Sequence, residues 1–248
     1  MNAFFPLWRR ELATYFRTSI GYVAGTCFLA IAGFGLWRQA AHLARSAAEG
    51  DLVQNLFGTP VYWLALLVAT PLLTMRLFAE EQRAGTLETL LAAPVTETQV
   101  VLAKFAAAYA AFLLLWLPTL AYAAILRQCG ANLPPVDWGP VAAAYLGTAL
   151  IGAFFVALGL LGSLLPRHQA VAAMAGFAAA GLALAGGRLP FYAHTAPFRE
   201  FAAAVSATRH MADFAAGIVD TRAVVWYVGG TALALFAAVR ILEARRLR

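Results

Sequence analysis

Residues 71–105 read PLLTMRLFAEEQRAGTLETLLAAPVTETQVVLAKF and contain a charged segment between two apolar flanks. The hydrocarbon core of a bilayer is about 30 Å thick, so a helix needs roughly 20 mostly apolar residues to cross it. The apolar sequence on each side continues far enough to meet this length. The stretch therefore predicts two consecutive membrane-spanning helices joined by a short polar loop, residues 78–99.

The composition of the whole chain also indicates an integral membrane protein. Of its 248 residues, 62% are hydrophobic and 12% are charged, whereas about 25% are charged in an ordinary soluble domain. The net charge of +6 does not indicate a nucleic-acid-binding protein, because the basic residues are scattered at the edges of the apolar runs. Two cysteines, Cys27 and Cys129, are too few for a disulfide framework, and we expect both to be unpaired.

The apolar runs predict an all-α fold with six membrane-spanning helices. They cover about residues 19–37, 60–78, 100–126, 140–165, 170–187 and 224–241. The fifth run consists mostly of Ala and Gly, which insert poorly into lipid unless they pack against other helices. We therefore predict that the fifth helix is buried by its neighbours.

Residues 1–18 predict an amphipathic helix that lies in the membrane interface ahead of the first span. Its faces are apolar at Phe5, Trp8, Leu12 and Tyr15 and polar at Arg9, Arg10, Glu11 and Arg17. The following apolar run continues past the sequence Ala30-Ile31-Ala32, which mimics a signal-peptide cleavage site. We interpret the segment as an uncleaved anchor.

The distribution of Lys and Arg predicts the orientation in the membrane. With the N-terminus inside, eleven of these residues are cytoplasmic and seven are external, and cytoplasmic segments carry the excess of positive charge. An even number of spans returns the C-terminus to the same side. Both termini and the loop 78–99 are therefore predicted to be cytoplasmic, in the inner membrane of a bacterium.

The loop 78–99 has the signals of an ordered structure. Gly85 ends a helix that continues from the second span, Thr86 is a candidate N-cap, and Pro94 ends the short helix that follows. Thr96 and Gln99 form a predicted capping box at the start of the third span. A simpler interpretation, that the charges only anchor helix ends at the interface, remains open on these signals alone.

Three stretches resemble known transporter subunits. Residues 71–105 resemble the signature of ABC-2 type permeases, the membrane subunits of a class of ATP-driven transporters. The sequences WRRELATYFRTSIGYV at 8–23 and RHMADFAAGIVDTRAVVWYV at 209–228 are similar to the gliding-motility type of permease. The chain departs from that pattern at Ile20, where a Pro is common, and at Ala103, where a Gly is usual.

The resemblance implies that the loop 78–99 and the N-terminal helix dock into a cleft on a separate ATPase. The residues of this expected interface are Arg10, Glu11, Glu80, Glu81, Arg83, Gly85, Thr86, Leu87, Glu88, Leu90 and Leu91, with the charges facing the partner and the leucines packing at the seam. ATP and Mg²⁺ would bind to the partner, because Lys104 is the only lysine and no Gly-Lys-Ser/Thr phosphate loop is present.

Residues 188–222 form the second informative connection, with an interrupted apolar face that suits the outer leaflet. The resemblance implies that this segment closes the external mouth of the transporter, and the candidate gate residues are Pro197, Phe198, Phe201, His210 and Phe214. A surface amphipathic helix without a gating role is the alternative.

The sequence does not indicate an enzyme. Its histidines are dispersed, and the nearest candidate pair, Ser163 and His168, is more simply explained as a surface polar contact. We predict a permease that pairs with a second copy or a paralogue and with two cytoplasmic ATPases, and that exports an amphiphilic cargo. An auxiliary periplasmic or membrane protein is a further expected partner. Two alternatives are a force-transmitting module that acts on a periplasmic partner without moving cargo, and the permease of a nitrous oxide reductase maturation system.

Overall fold

A computed structural model of the chain describes residues 4–45, 52–92, 95–122, 125, 137–186, 200 and 204–246. The helices are α1 Phe4–Arg17, α2 Ser19–Arg45, α3 Leu52–Phe57, α4 Pro60–Thr74, α5 Ala79–Ala84, α6 Thr86–Ala92, α7 Glu97–Trp116, α8 Trp138–Leu164, α9 Gln169–Gly186, α10 Ala207–Ala215 and α11 Thr221–Arg246. A 3-10 turn, Leu117–Thr119, follows α7. No strand occurs in the described ranges, so the predicted all-α fold is confirmed.

The long helices have the length and composition to cross a bilayer. Within the described residues five segments qualify: Pro60–Ala84, Glu97–Tyr122, Trp138–Leu164, Gln169–Gly186 and Thr221–Arg246. A sixth is added if α1 and the adjoining part of α2 are taken as one span, although the chain bends there by 67°. The bend separates the N-terminal helix from the direction of α2, as an interfacial helix requires.

Helix α8 lies at the centre of the bundle and packs against α4, α7, α9, α10 and α11. Glycines allow its neighbours to approach closely, because a Cβ at Gly152 would overlap the Phe112 ring and one at Gly159 would overlap the Thr74 side chain. Phe112, Phe155 and Leu160 are fully buried beside them. Side chains on α4 and α7 therefore fit into notches on α8.

The prediction that the fifth span is buried is wrong for this chain taken alone. The buried residues of α9 are Ala172, Gly176 and Ala180, which form one stripe along the helix. Gly176 packs against Pro71 of α4, whereas Met174 and Leu182 are 71% and 72% exposed. Small residues bring one face of α9 close to α4 and α8, and its large apolar side chains point away from the bundle, where lipid can solvate them.

Both the N-terminal helix and the last helix reach the same end of the bundle. Glu11 of α1 pairs with Lys104 near the start of α7, and Arg246 at the end of α11 pairs with Glu97, also at the start of α7. We call this the basic end, because it carries Arg9, Arg10, Arg17, Arg76, Arg83, Lys104, Arg167, Arg245 and Arg246. The opposite end contains the start of α4, the end of α7 and the start of α8, so α4 and α8 run parallel to each other and α7 runs antiparallel to both.

The notch at Gly152 gives a prediction about stability. Gly152→Val should destabilise the fold by about 1–3 kcal/mol, because the new side chain overlaps the Phe112 ring. Denaturant unfolding in detergent micelles measures the change. Gly181→Val is the matched control on α9, where a Cβ meets nothing within 4 Å, and an equal loss in both variants would contradict the packing account.

Candidate functional site

The start of α7 positions the candidate site at the basic end. The predicted capping box is confirmed: the Gln99 backbone N–H donates to Thr96 Oγ1 at 3.3 Å, and the Thr96 N–H donates to Gln99 Oε1 at 3.4 Å. The capped helix then runs on without a break, so Lys104 lies two turns inside α7. Its side chain is directed between α7 and the two shorter helices α1 and α5.

Lys104 is a buried cation held by two carboxylates. Its side chain is 3% exposed, and Nζ donates to Glu81 Oε1 at 2.8 Å and to Glu11 Oε1 at 3.1 Å. The ammonium also lies 5.2 Å from the centroid of the Phe78 ring. One side chain of α7 thereby joins α1, through Glu11, to α5, through Glu81.

Arg10 completes the set, which we call the Lys104 cluster: Arg10, Glu11, Glu81 and Lys104. Arg10 Nη2 lies 3.9 Å from Glu81 Oε1 and 4.0 Å from Glu11 Oε1, so two positive charges balance two negative ones. The other oxygen of Glu81, Oε2, is buried and has no hydrogen-bond partner among the described residues. A buried charge is costly unless it is paired, so the cluster strongly favours this arrangement of the three helices.

A second ion pair joins the turn that follows α4 to the first turn of α5. Arg76 Nε donates to Glu80 Oε2 at 2.6 Å and Arg76 Nη2 donates to Glu80 Oε1 at 2.8 Å, a two-point geometry that fixes direction as well as distance. The Tyr15 hydroxyl of α1 donates to the Leu73 carbonyl of α4 at 2.6 Å. A polar cavity of about 340 Å³ lies between these groups and the Lys104 cluster.

The structure corrects the prediction that all acids of the loop face a partner. Glu81 and Glu11 are 14% and 13% exposed and point inward to Lys104. Leu87, predicted to pack at the seam with the ATPase, is 7% exposed and belongs to the core of this chain, and Leu90 packs against the same core. The reason is the buried ammonium of Lys104, which needs counter-charges from the elements that cover it.

The remaining predicted interface residues stay at the surface. Arg10 is 64% exposed, and Arg83, Gly85, Thr86 and Glu88 are exposed. Glu80 is partly exposed while it pairs with Arg76. The Leu91 side chain and Pro94 lie outside the described residues. The exposed set surrounds the bend between α5 and α6.

Gly85 forms that bend, as its sequence position predicted. Its φ is +70°, a left-handed conformation that favours glycine, and its N–H donates to the Glu81 carbonyl to close α5. The prediction of Thr86 as an N-cap is wrong, because α6 begins at Thr86 itself. The left-handed glycine turns the chain so sharply that no extended residue remains between the two helices.

Sequence reasoning missed Lys104 as the centre of the site. It was counted only as one cytoplasmic charge among eleven. The available signal was its position, since the chain's single lysine stands inside an apolar helix, where an ionisable residue indicates a paired and functional group.

The structure also places the residues of the Ser163 and His168 interpretation. The predicted surface contact between Ser163 and His168 is wrong: Ser163 is fully buried and donates to the Leu160 carbonyl at 2.7 Å, while His168 is exposed. In the described part of the chain, no group of three or more His, Cys, Asp or Glu residues could hold a metal ion.

At the opposite end, α10 packs into the bundle. Phe214 is buried against Gly147 of α8, and His210 Nδ1 lies 3.1 Å from the Tyr227 hydroxyl of α11. The apolar face of α10 is therefore covered by α8, and the choice between a gate and a helix without a gating role stays a prediction. The other predicted gate residues, Pro197, Phe198 and Phe201, lie outside the described residues.

Burial lowers the pKa of His210 below the ordinary histidine value. Arg209 acts in the same direction, and the carboxylates of Asp213 and Asp220 oppose the shift. The folded protein therefore favours the neutral imidazole that contacts the Tyr227 hydroxyl.

The His210 environment predicts a pH dependence of stability. The unfolded chain binds the His210 proton more tightly than the folded chain does, with a pKa of about 6.5. The stability that the fold gains from a neutral His210 is therefore fully present above that pH, and it is lost as the pH falls towards the lower pKa of the folded state. His210→Asn retains a polar atom near the Nδ1 position. Between about pH 7.5 and 5.5, its melting temperature should fall less than that of the native protein.

His168→Asn, at an exposed position, is the matched control and should leave the native pH profile unchanged. The same pH profile in the native protein and in His210→Asn would refute the assignment.

The Lys104 cluster gives a prediction about stability at the basic end. Lys104→Met should cost about 3–5 kcal/mol in unfolding free energy, because Glu11 and Glu81 then remain buried with only the more distant and exposed Arg10 as a counter-charge. Adding Glu81→Gln should recover part of this loss, and denaturant unfolding in micelles measures both.

Arg240→Met is the control, because Arg240 forms an exposed pair with Glu243 whose loss should cost less than about 1 kcal/mol. If Lys104→Met cost no more than this control, the cluster would not hold the three helices together.

Comparison with known proteins identifies one family. Residues 36–189, more than half of the chain, match the family model described as ABC-2 family transporter protein. The matched range includes Glu81 and Lys104 and leaves out α1, α10 and α11. No curated protein matches the chain.

Proposed function

Because the chain belongs to the ABC-2 family of transporter proteins and is a membrane permease component of an ABC transporter, we propose that the Lys104 cluster couples it to a separate ATPase. The family implies partnership with ABC ATPase subunits. The observation that carries the proposal is the burial of Lys104 between Glu11 and Glu81, which joins three helices at one end of the bundle.

The surface for the ATPase is the bend between α5 and α6 together with the exposed side of α1. Arg10, Arg83 and Glu88 are exposed there, and Leu87 fixes α6 to the core beneath them. Exposed charges of both signs steer and align a protein partner more than they add affinity. Glu11 and Glu81 point inward to Lys104, and these ion pairs hold α1 and α5 in place beneath the surface.

Force applied to α5 and α6 has a continuous route to the membrane helices. The Arg76–Glu80 pair passes a displacement of α5 to α4, and Lys104 passes it to α7 and α1. The Arg76–Glu80 pair stiffens the connection between α4 and α5, and the Lys104 pairs are charge-assisted contacts between helices, so a displacement of the bend reaches α1, α4 and α7.

The proposed orientation places the basic end in the cytoplasm, in agreement with the excess of Lys and Arg there. ATP and Mg²⁺ then bind to the partner, whose movement reaches this chain through the bend. The membrane is the inner membrane of a bacterium, and both termini are cytoplasmic.

A second copy or a paralogue of this chain would complete the translocation path. In α11, Val225 and Leu233 are each 70% exposed, which fits contact with lipid or with another permease. An amphiphilic cargo suits membrane helices whose one buried lysine is already paired at the basic end. The gliding-motility subgroup is supported by residues 8–23 and 209–228, outside the matched range.

The exposed charges of the bend provide the test. We expect Arg83→Glu combined with Glu88→Lys to reduce co-purification with the partner ABC ATPase by about tenfold or more, because two charges at the proposed interface are reversed. ATPase stimulation by the reconstituted permease should fall in parallel.

Arg222→Glu reverses an exposed charge at the opposite end and serves as the control that leaves both readouts unchanged. Normal ATPase binding by the Arg83 and Glu88 double variant, with a normal melting temperature, would exclude the bend as the docking surface.

A further inference from the structure

A long apolar groove runs along the side of the bundle between α8 and α11. It has a volume of about 910 Å³ and follows α11 from Thr221 to Ala237. Phe154, Leu158 and Leu161 of α8 form the facing wall. The groove shares no residue with the Lys104 cluster, so it is a separate feature of the molecule.

Two adjacent glycines form the floor of the groove. A Cβ at Gly230 would lie 2.8 Å from the Phe154 ring, so α8 and α11 approach each other closely at this point. A Cβ at Gly229 would meet nothing within 4 Å. Val225 and Leu233, one turn before and one turn after Gly229 on the same face, are each 70% exposed. The groove is therefore open towards the surroundings of the bundle beside Gly229.

The charges of α11 locate the groove relative to the membrane. Arg222 stands in the first turn, Arg240 is exposed near the other end and pairs with Glu243, and the residues between the two arginines are uncharged. The arginines are 18 positions apart, about 27 Å at 1.5 Å per residue, which is close to the hydrocarbon thickness of about 30 Å. They therefore mark the two boundaries of the hydrocarbon core.

The Lys104 cluster lies at the inner of these two boundaries. Arg246 of α11 pairs with Glu97 at the start of α7. Lys104 comes about two turns after Glu97, and Arg240 comes about two turns before Arg246, so Lys104 and Arg240 lie at the same height. The exposed Arg10 beside the cluster is thus at the boundary with the cytoplasm, as docking to an ATPase requires.

The groove has the length and the lining for an acyl chain. From Arg222 to Ala237 it follows α11 for about 22 Å, whereas one leaflet accounts for about 15 Å of the hydrocarbon core. Beyond Arg222, its described lining residues are all apolar or glycine. An acyl chain from the leaflet at Arg222 therefore fits along the groove, and its headgroup stays at the boundary.

Two opposite charges stand at the headgroup end of the groove. Arg222 is the one charged residue among the described residues that line it. Asp220 is exposed two residues earlier, and its Oδ1 accepts the Arg222 backbone N–H at 2.8 Å. Neither side chain forms an ion pair within the described part of the chain. Both charges are therefore available to a ligand.

We propose that the groove binds a zwitterionic phospholipid, with one acyl chain along Gly229 and the phosphate paired with Arg222. Arginine binds phosphate through charge-assisted hydrogen bonds. The ammonium of the headgroup lies on the side of Asp220, so the two charges of the lipid meet opposite charges of the chain. With the orientation proposed above, this lipid belongs to the outer leaflet.

A second copy of this chain is the other occupant that an apolar membrane face allows. A protein helix seated in the groove would have to bring an acid to the height of Arg222, because burial of an unpaired guanidinium is costly. Every phospholipid carries a phosphate at that boundary. The arginine at the end of an otherwise uncharged groove therefore favours the lipid.

The test compares lipids with and without the phosphate on the purified full-length chain. The probes are a short-chain diacyl phosphatidylethanolamine and the diacylglycerol with the same acyl chains. Thermal stabilisation of delipidated protein in an uncharged detergent, measured over a concentration series, should give about tenfold tighter binding for phosphatidylethanolamine, the change expected for a hydrogen bond to a charged group. Phosphatidylglycerol with the same chains lacks the ammonium and should bind about threefold more weakly than phosphatidylethanolamine.

Two pairs of variants separate the headgroup end from the groove itself. Arg222→Gln should bring the ratio of phosphatidylethanolamine to diacylglycerol close to one, and Arg209→Gln, at an exposed arginine outside the groove, should keep the native ratio. Gly229→Leu fills the groove and should weaken the binding of both lipids by about tenfold or more. Gly181→Leu makes the same change at an open glycine of α9 and should leave both affinities unchanged.

Equal binding of phosphatidylethanolamine and diacylglycerol by the native protein overturns the proposal, and so does tighter binding of phosphatidylglycerol than of phosphatidylethanolamine. Native lipid affinity in Gly229→Leu overturns it as well, and a loss of dimer in that variant would then assign the groove to a second copy. The lipid measurements use no ATPase, so their failure is distinguishable from a failure of the coupling proposed for the basic end.

Discussion

The buried ammonium of Lys104 is the constraint on which the basic end depends. A charge at that depth requires partners, and the chain brings Glu11 from one side and Glu81 from the other to provide them. The position of α1 on the bundle and the inward direction of Glu81 on α5 follow from covering this group. The exposed charges of the bend occupy the surface that this packing leaves outside.

The two ends of the bundle are held together by different kinds of contact. The basic end uses ion pairs between short helices, which couple the motions of several elements through a few contacts. The opposite end uses aromatic rings and paired hydroxyls, and α10 closes it through Phe214 and the His210–Tyr227 contact. A charged end suits a protein partner in water.

The features that were predicted correctly from the sequence depend on neighbours along the chain. The capping box at Thr96 and Gln99, the left-handed Gly85 and the long apolar helices are all set by local spacing. The direction of Glu81 could not be predicted in this way, because it depends on Lys104, which is 23 residues further along the chain. The exposure of α9 was missed for a related reason: its composition shows small residues, but only the fold shows that they form a single stripe.

The glycine notches of α8 limit the ways in which the bundle can change shape. Side chains from three different helices fit against these glycines: Phe214 at Gly147, Phe112 at Gly152 and Thr74 at Gly159. Each neighbouring helix is therefore held at a fixed position along α8. If one of these helices slid along α8 by a single residue, its side chain would meet a position of α8 that is not glycine and would overlap the Cβ there. The four helices α4, α7, α8 and α10 therefore move as one block, and α9 and α11 pack extensively against the same central helix.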